Sequence, residues 1–302
     1  MKPEQDIKLR SKGIGGSDAS KIFGNSKWGN PTNVYDEKLG LVIPEDISDK
    51  PYVEMGIILE PIVAGLFAKR LGKKIRMVSK TMYSKEWPVA RSHIDAKIVG
   101  EKVGVEIKTT NAFNAKEWGK EMTDEIPIHY LYQIYHYLYV TEYEYFYCAV
   151  LIGGSDLRIY KIERDEERIK ELIDAEKNFW ENHVLKKIPP EPLSPEEALL
   201  QFPTAKKLKS IESTPMLEQL IASGKELEKR KATIEEALKT VKKDIMNHMK
   251  DAQIITDRQG NKIVSWVNGQ RKGLDQKALK KEQPELWNEY PSVSEFRTFS
   301  LH

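Results

Sequence analysis

Cysteine is nearly absent from this chain: Cys148 is the single instance in 302 residues. One thiol excludes an intrachain disulfide, a cysteine-rich zinc site and a four-cysteine iron–sulfur cluster. A reducing, cytoplasmic setting is therefore the default expectation. A surplus of one charge is also missing. The formal net charge is +2, so no overall basic field announces nucleic acid, although 205–302 is basic and the remainder mildly acidic. Uninterrupted apolar runs are short. None approaches the ~18 residues of a spanning helix, so no membrane partner is expected, and the polar start MKPEQDIKLR is not a signal peptide. No internal repeat or low-complexity tract stands out. With 40% hydrophobic residues, the chain has enough apolar material for one large domain or two.

Prolines 189, 190, 192, 195 and 203 cluster and suit a restrained linker. The expected organisation is a domain over 1–188, a Pro-rich linker over 189–204 and a C-terminal α+β extension over 205–302. The first part reads as mixed α/β. Gly13–Gly24 is a glycine-rich turn feeding a short helix that Ser17 or Asp18 can cap. Asn30-Pro31 opens a helix that stops at Gly40, and 52–70 is helical with a break or new first turn at Pro61. Strands are expected at 74–78, 89–99, 103–109, 144–152 and 157–162, with helices over 126–140 and 163–184. Beyond the linker, Leu220, Leu227, Ile234 and Val241 recur every seven residues in a helix over 215–250. That spacing suits half of a helical hairpin or an intermolecular arm. A hairpin around 259–261, a short helix and a final strand complete the chain.

The chemistry concentrates in Ser92–Thr110, SHIDAKIVGEKVGVEIKTT. With strand periodicity, Ile94, Ala96 and Ile98 share one face, and His93, Asp95 and Lys97 share the other. On the next strand, Val103, Val105 and Ile107 face one way, and Glu106 and Lys108 the other. A turn containing Gly100 lets Asp95 and Glu106 approach. Two hard carboxylates suit Mg²⁺ or Mn²⁺. Lys108 can stabilise charge, or lose a proton and help to activate water. These are the parts phosphodiester hydrolysis needs, yet any strand–turn–strand can carry such charges on a solvated face. Three neighbours strengthen the functional reading. Glu60 lies on the upstream helix. His129, Gln133 and Tyr137 stand at i, i+4 and i+8, where the Gln and Tyr can hold a strand or orient Lys108. GIGGSD gathers backbone N–H groups into an anion pocket. Each also has a plain structural explanation: a surface Glu, a Tyr-rich amphipathic helix, a tight turn.

Taken together, R-x₂-GIGGSDASKIFG-x₃-W, GIILEP, HIDAKIVG, VEIKTT and Q-x₃-Y resemble the YqaJ-like viral recombinase family. That family belongs to the phage lambda exonuclease-like branch of the PD-(D/E)XK nuclease superfamily. The resemblance spans roughly 8–190. It implies an α/β, restriction-endonuclease-like core with a mixed central sheet flanked by helices. It implies that Asp95, Glu106 and the carbonyl of Ile107 bind metal, with Glu60 as an additional acid and Lys108 as the catalytic lysine. Gln133 and Tyr137 match the Q-x₃-Y element, and Arg10 and Ser17 match the pair that grips a terminal 5′-phosphate. The implied activity is 5′→3′ digestion of one strand of linear duplex DNA. The implied partners are duplex DNA with a free end, a single-strand annealing protein, and further copies of the chain in a ring-shaped trimer. Ala96 stands where glycine is expected, and His93 is either accessory to the site or a packing residue. An endonuclease on the same fold and a non-catalytic DNA-binding scaffold are the alternatives.

Overall fold

A run that is apolar at nearly every position marks a strand covered on both faces, and Tyr145–Ile152 is such a run. It takes part in both of the longest ladders of a mixed sheet. The computed structural model describes residues 11–43, 46–47, 49–205, 209–270, 273–290 and 299–300. They divide into two units, Met1–Glu197 and Ala198–His302, and the division falls inside the proline-rich segment.

In the first unit the elements run β1 (Ile14–Gly15), α1 (Gly16–Ile22), α2 (Pro31–Leu39), α3 (Pro51–Leu71), β2 (Ile75–Met77), β3 (Met82–Tyr83), β4 (Ala90–Ser92), β5 (Ala96–Ile98) and β6 (Val103–Thr110). A 3₁₀ turn (Ala112–Glu117) follows, then α4 (Ile128–Thr141), β7 (Tyr145–Ile152), β8 (Asp156–Glu163) and α5 (Glu166–Phe179), which continues as a π turn to Val184. The main sheet has order β2-β5-β6-β7-β8. Only β6 and β7 pair in parallel within it. A smaller sheet has order β1-β4-β3.

Period-two alternation distributes the core. Phe146, Cys148, Val150 and Ile152 of β7 meet Ile134 and Leu138 of α4 and Leu172 of α5. Tyr147, Ala149 and Leu151 meet Val63, Ala64 and Phe67 of α3, together with Val103, Val105 and Ile107 of β6. The helices carry their own start and stop signals. Asn30 and Asn33 cap α2 reciprocally, Gly40 ends it in the left-handed region, and Asp165 accepts from the amides of Glu167 and Arg168 to start α5.

Three local expectations change. The strand expected over 89–99 is two short strands in different sheets: β4 pairs with β1 and β3, whereas β5 pairs with β2 and β6. The chain switches sheets at His93–Asp95. Ile94 consequently packs with α4, while Ala96 and Ile98 pack with α3. Second, α3 runs unbroken through Pro61. The carbonyl deprived of its partner belongs to Ile57, which is exposed and can be hydrated. Third, α3 is long and apolar enough to cross a membrane by length and composition, which a count of consecutive apolar residues missed because Glu54 and Glu60 interrupt the run. Val63, Ala64 and Phe67 are buried against the sheet, whereas Ile57, Ile58, Ile62 and Leu66 of the same helix are exposed.

In the second unit, α6 (Pro215–Met249) is one 35-residue helix, with the Thr214 side chain capping Leu217 N–H. Its seven-residue stripe is exposed at Leu220, Leu227, Ile234 and Val241. The expected hairpin is present as β9 (Ile254–Thr256) and β10 (Lys262–Ser265), followed by helical turns Gln276–Glu282 and Pro284–Glu289. The expected final strand lies outside the described residues.

Candidate active site

The site begins on β6, the middle strand of five. Glu106 and Lys108 share a face because they stand two apart. The face is not solvated: Glu106 is 2% exposed. Lys108 Nζ donates to Glu106 Oε1 at 2.5 Å. From α4, Gln133 Nε2 reaches the same oxygen at 2.9 Å and Tyr137 Oη at 2.8 Å. Tyr137 in turn donates to the His93 carbonyl at 3.3 Å. Positions i and i+4 of one helix therefore tie β6 to the point where the chain changes sheets.

That change of sheet explains Asp95. The β5–β6 ladder ends at Ala96↔Val105, so the Ile107 N–H beyond it lacks a strand partner on that edge. Asp95 Oδ2 accepts it at 2.7 Å, a side chain substituting for a ladder carbonyl. Gly100, at φ 85°, makes the turn that returns the chain into β6, a conformation that favours glycine.

Asp95, Glu106, Lys108, Gln133, Tyr137, Glu60 and His93 line one cleft of about 930 Å³ with Gly15, Gly16, Ser17 and Asp18. Ser17 and His93 are exposed within it. Arg10 lies outside the described residues. Gly16 approaches α4 so closely that an added Cβ would lie 2.5 Å from Tyr137 Cε1 and 3.0 Å from Gln133 Cγ. The capping of α1 differs from expectation. Gly15 is the N-cap, and Asp18 reaches back from the first turn to accept its N–H at 3.0 Å. Asp18 also pairs with buried Lys38 at 2.6 Å, a partner that sequence spacing did not reveal. Nor did it reveal His136 and Glu176, both fully buried, with Nδ1 at 2.8 Å from Oε1. His136 Nε2 lies 2.9 Å from the Arg91 carbonyl. A carbonyl only accepts, so Nε2 carries a proton. Burial alone pulls the imidazole down, and the Glu176 carboxylate more than offsets it. Polar residues on an otherwise apolar face of α4 and α5 were the available signal.

The electrostatics favour a cation. Burial, and then the Asp95 carboxylate, push Glu106 up to about 8. Burial also raises Asp95, against the pull of Lys108 and the Ile107 N–H, and burial with Asp95 raises Glu60. Burial acts to lower Lys108, but Glu106 and Asp95 outweigh it and hold the ammonium above the ordinary lysine range. Glu106 Oε2 is buried with no hydrogen-bond partner. Among the described residues no group of three or more His, Cys, Asp or Glu is drawn together into a closed cage. Two mutually repelling hard carboxylates, one with an uncommitted buried oxygen, fit a divalent ion of the Mg²⁺ or Mn²⁺ type that keeps much of its water.

A model described as the YqaJ-like viral recombinase domain matches residues 7–144. The "Uncharacterized protein YqaJ" of Bacillus subtilis (strain 168) is 35% identical over 299 residues, which is 97% of this chain and 92% of that protein. Among solved structures, an alkaline exonuclease (LHK-Exo) from Laribacter hongkongensis superposes with a TM-score of 0.50 at 15% identity, over 61% of this chain and 94% of that one. Its complex with dAMP also gives 0.50 at 15% identity, over 66% and 97%. At that identity the likeness establishes the fold: a PD-(D/E)XK-type mixed sheet flanked by helices.

Proposed function

We propose that this chain, which belongs to the YqaJ-like viral recombinase family, is a divalent-metal-dependent exonuclease that digests one strand of linear duplex DNA from its 5′ end. The observation that carries the reading is the convergence of Asp95, Glu106, Lys108 and Gln133 in one cleft, with a buried carboxylate oxygen uncommitted. That a structure of the same fold is described as an alkaline exonuclease, and another as its dAMP complex, supports the chemical class.

In this reading Asp95, Glu106, the Ile107 carbonyl and Glu60 hold Mg²⁺ or Mn²⁺. Such an ion lowers the pKa of water and neutralises developing phosphate charge. The chain's own residues do the remainder. Gln133 and Tyr137 fix the Glu106 carboxylate. Lys108 keeps its ammonium beside the scissile phosphate while both carboxylates face it. Once a cation screens them, the force holding its proton weakens. Ser17, with Arg10, holds the terminal 5′-phosphate. Water adds to phosphorus, the P–O3′ bond breaks and the leaving oxygen takes a proton. The shortened strand then begins again with a 5′-phosphate, the group that Ser17 and Arg10 accept, so each cut regenerates the substrate.

A 3′ single strand left behind suits a single-strand annealing protein, in a phage-type recombination reaction in the cytoplasm. A ring of three copies would prevent sideways escape from DNA. The 205–302 extension serves as an interaction or DNA-contacting module. The test is a gel assay on linear duplex labelled at either end, with Mg²⁺ or EDTA, beside closed circular DNA. Metal-dependent loss of the 5′-phosphorylated strand with circles intact is expected. Cut circles would replace the reading with an endonuclease. No cleavage with Mg²⁺ or Mn²⁺ would replace it with a scaffold.

A further inference from the structure

Lys108 has a second side. Away from the cleft, its Nζ lies 4.8 Å from the centroid of the Tyr130 ring. Tyr130 stacks on Trp118 at 5.7 Å and lies 4.1 Å from His129. Trp28 closes the group, 6.2 Å from Tyr130 and edge-on to His129 at 4.4 Å. The rings beneath are covered to different degrees, Trp118 at 4% and His129 at 6% exposed, whereas Trp28 is 63% exposed. An exposed indole alone is ordinary. This one is held in place. The backbone N–H of Trp28 donates to Ser26 Oγ at 3.1 Å, Asn25 is tied to Tyr132, and Lys27 pairs with Glu117 of the 3₁₀ turn that follows β6. Asn30 then caps α2 immediately downstream. These bonds order the loop, and contacts with the His129 and Tyr130 rings seat the indole on it, which is how a binding surface is preorganised.

The chemistry of the surroundings selects the partner. Trp28 does not line the cleft that contains Ser17, His93 and the carboxylates, yet it joins Lys108 through a single ring. Burial, assisted by Lys27, brings His129 down to about 4, so the support beneath the indole is a neutral aromatic at working pH. A flat, seated, uncharged π-surface matches the face of a nucleobase. We infer that Trp28, supported by His129 and Tyr130, is a stacking subsite for an unpaired base of the scissile strand, on the side of the scissile phosphate opposite the 5′-terminal cleft. This rests on the nuclease reading above and extends it from the terminal phosphate to the base that follows the cut. Lys108 is the boundary between the two subsites, with one face toward Glu106 and the other toward Tyr130.

The experiment uses the full chain and a 5′-phosphorylated linear duplex with 2-aminopurine placed singly at successive positions from the 5′ end. Binding is read in EDTA by 2-aminopurine fluorescence, and steady-state cleavage is read in Mg²⁺. Trp28→Ala should raise KM by about 5- to 150-fold, the size of one base–aromatic stack, with a smaller change in kcat. It should also abolish the fluorescence change at one or two positions only. Trp28→Phe should restore most of both. A Trp28→Ala protein with wild-type KM and an unaltered fluorescence profile would overturn the subsite while leaving cleavage, and so the nuclease reading, intact. A wild-type protein that does not cut any DNA would overturn the nuclease reading instead. The EDTA fluorescence would then judge the subsite separately: a quench that requires Trp28 supports it, and a quench indifferent to Trp28 refutes it.

Discussion

Glu106 is a charge this fold tolerates poorly in the absence of a cation. Burial and Asp95 push its carboxyl up to about 8, against 4.5 for an unperturbed glutamate. The folded protein therefore binds one more proton than the unfolded chain between those values. That contribution to stability is complete below pH 4.5 and disappears as pH rises through about 8. One proton corresponds to about 1.4 kcal/mol per pH unit, so the metal-free protein loses on the order of 5 kcal/mol across the window from this group. That is a large share of a domain total of about 5–15 kcal/mol. Lys108 adds no slope here, because its raised pKa acts only above the lysine range. The perturbation is Glu106→Gln, which keeps the shape and cannot ionise. Urea unfolding in EDTA from about pH 5 to 9 should show wild-type stability falling steeply and the variant's slope shallower by about 1.4 kcal/mol per unit. At alkaline pH, Mg²⁺ at a hundred times its Kd should return about 2.7 kcal/mol to the wild type and far less to the variant. Parallel slopes in EDTA would refute the claim that Lys108 and Gln133 leave the Glu106 anion short of compensation without metal.

Other outcomes are equally open to measurement. Lys108→Ala should slow end-labelled duplex digestion by about 10²- to 10⁴-fold while the protein still binds DNA in EDTA; wild-type cleavage by this variant would defeat its assignment. Gly16→Ala forces a methyl into Tyr137 and Gln133 and should cost about 1–3 kcal/mol and up to about 100-fold in kcat. Gly15→Ala, whose Cβ meets nothing nearer than 3.8 Å, should cost no more than about 1 kcal/mol; equal effects of the two by thermal melting and kinetics would show that the contact is unimportant. Glu176→Ala removes the carboxylate from the buried His136 Nδ1 and should destabilise by about 3–5 kcal/mol, read by chemical denaturation.

The ladder residues were legible because alternation records burial directly. Val103, Val105 and Ile107 fall on one face and Glu106 and Lys108 on the other, as the spacing requires. The helix over 128–141 was legible for a similar reason: Gln133 and Tyr137 repeat at helical spacing, and strand periodicity cannot place both beside Glu106. What alternation does not encode is which strand a strand pairs with. His93–Asp95 alternates like any β segment, yet the chain leaves one sheet for another there, and that departure frees the Ile107 N–H for Asp95. Long-range charge pairs were hidden for the same reason. Asp18 and Lys38 are twenty residues apart and His136 and Glu176 forty, and nothing local marks either as half of a pair.

The position of Glu106 and Lys108 on the middle strand has a consequence for how the protein fails. Strand β6 is hydrogen-bonded on both sides, and its register with β7 is unbroken from Val103 to Thr110. Amides of such a strand exchange with solvent only when the whole domain opens. The three-stranded sheet of β1, β4 and β3 is bounded by strands of two residues, and it leads into His93. As denaturant rises, that sheet should become deuterated first, loosening the cleft wall that carries Ser17 and His93. The carboxylates and the lysine should keep their mutual arrangement until global unfolding. Substrate affinity and catalytic competence would then be lost in sequence, at two different denaturant concentrations, although both belong to one site.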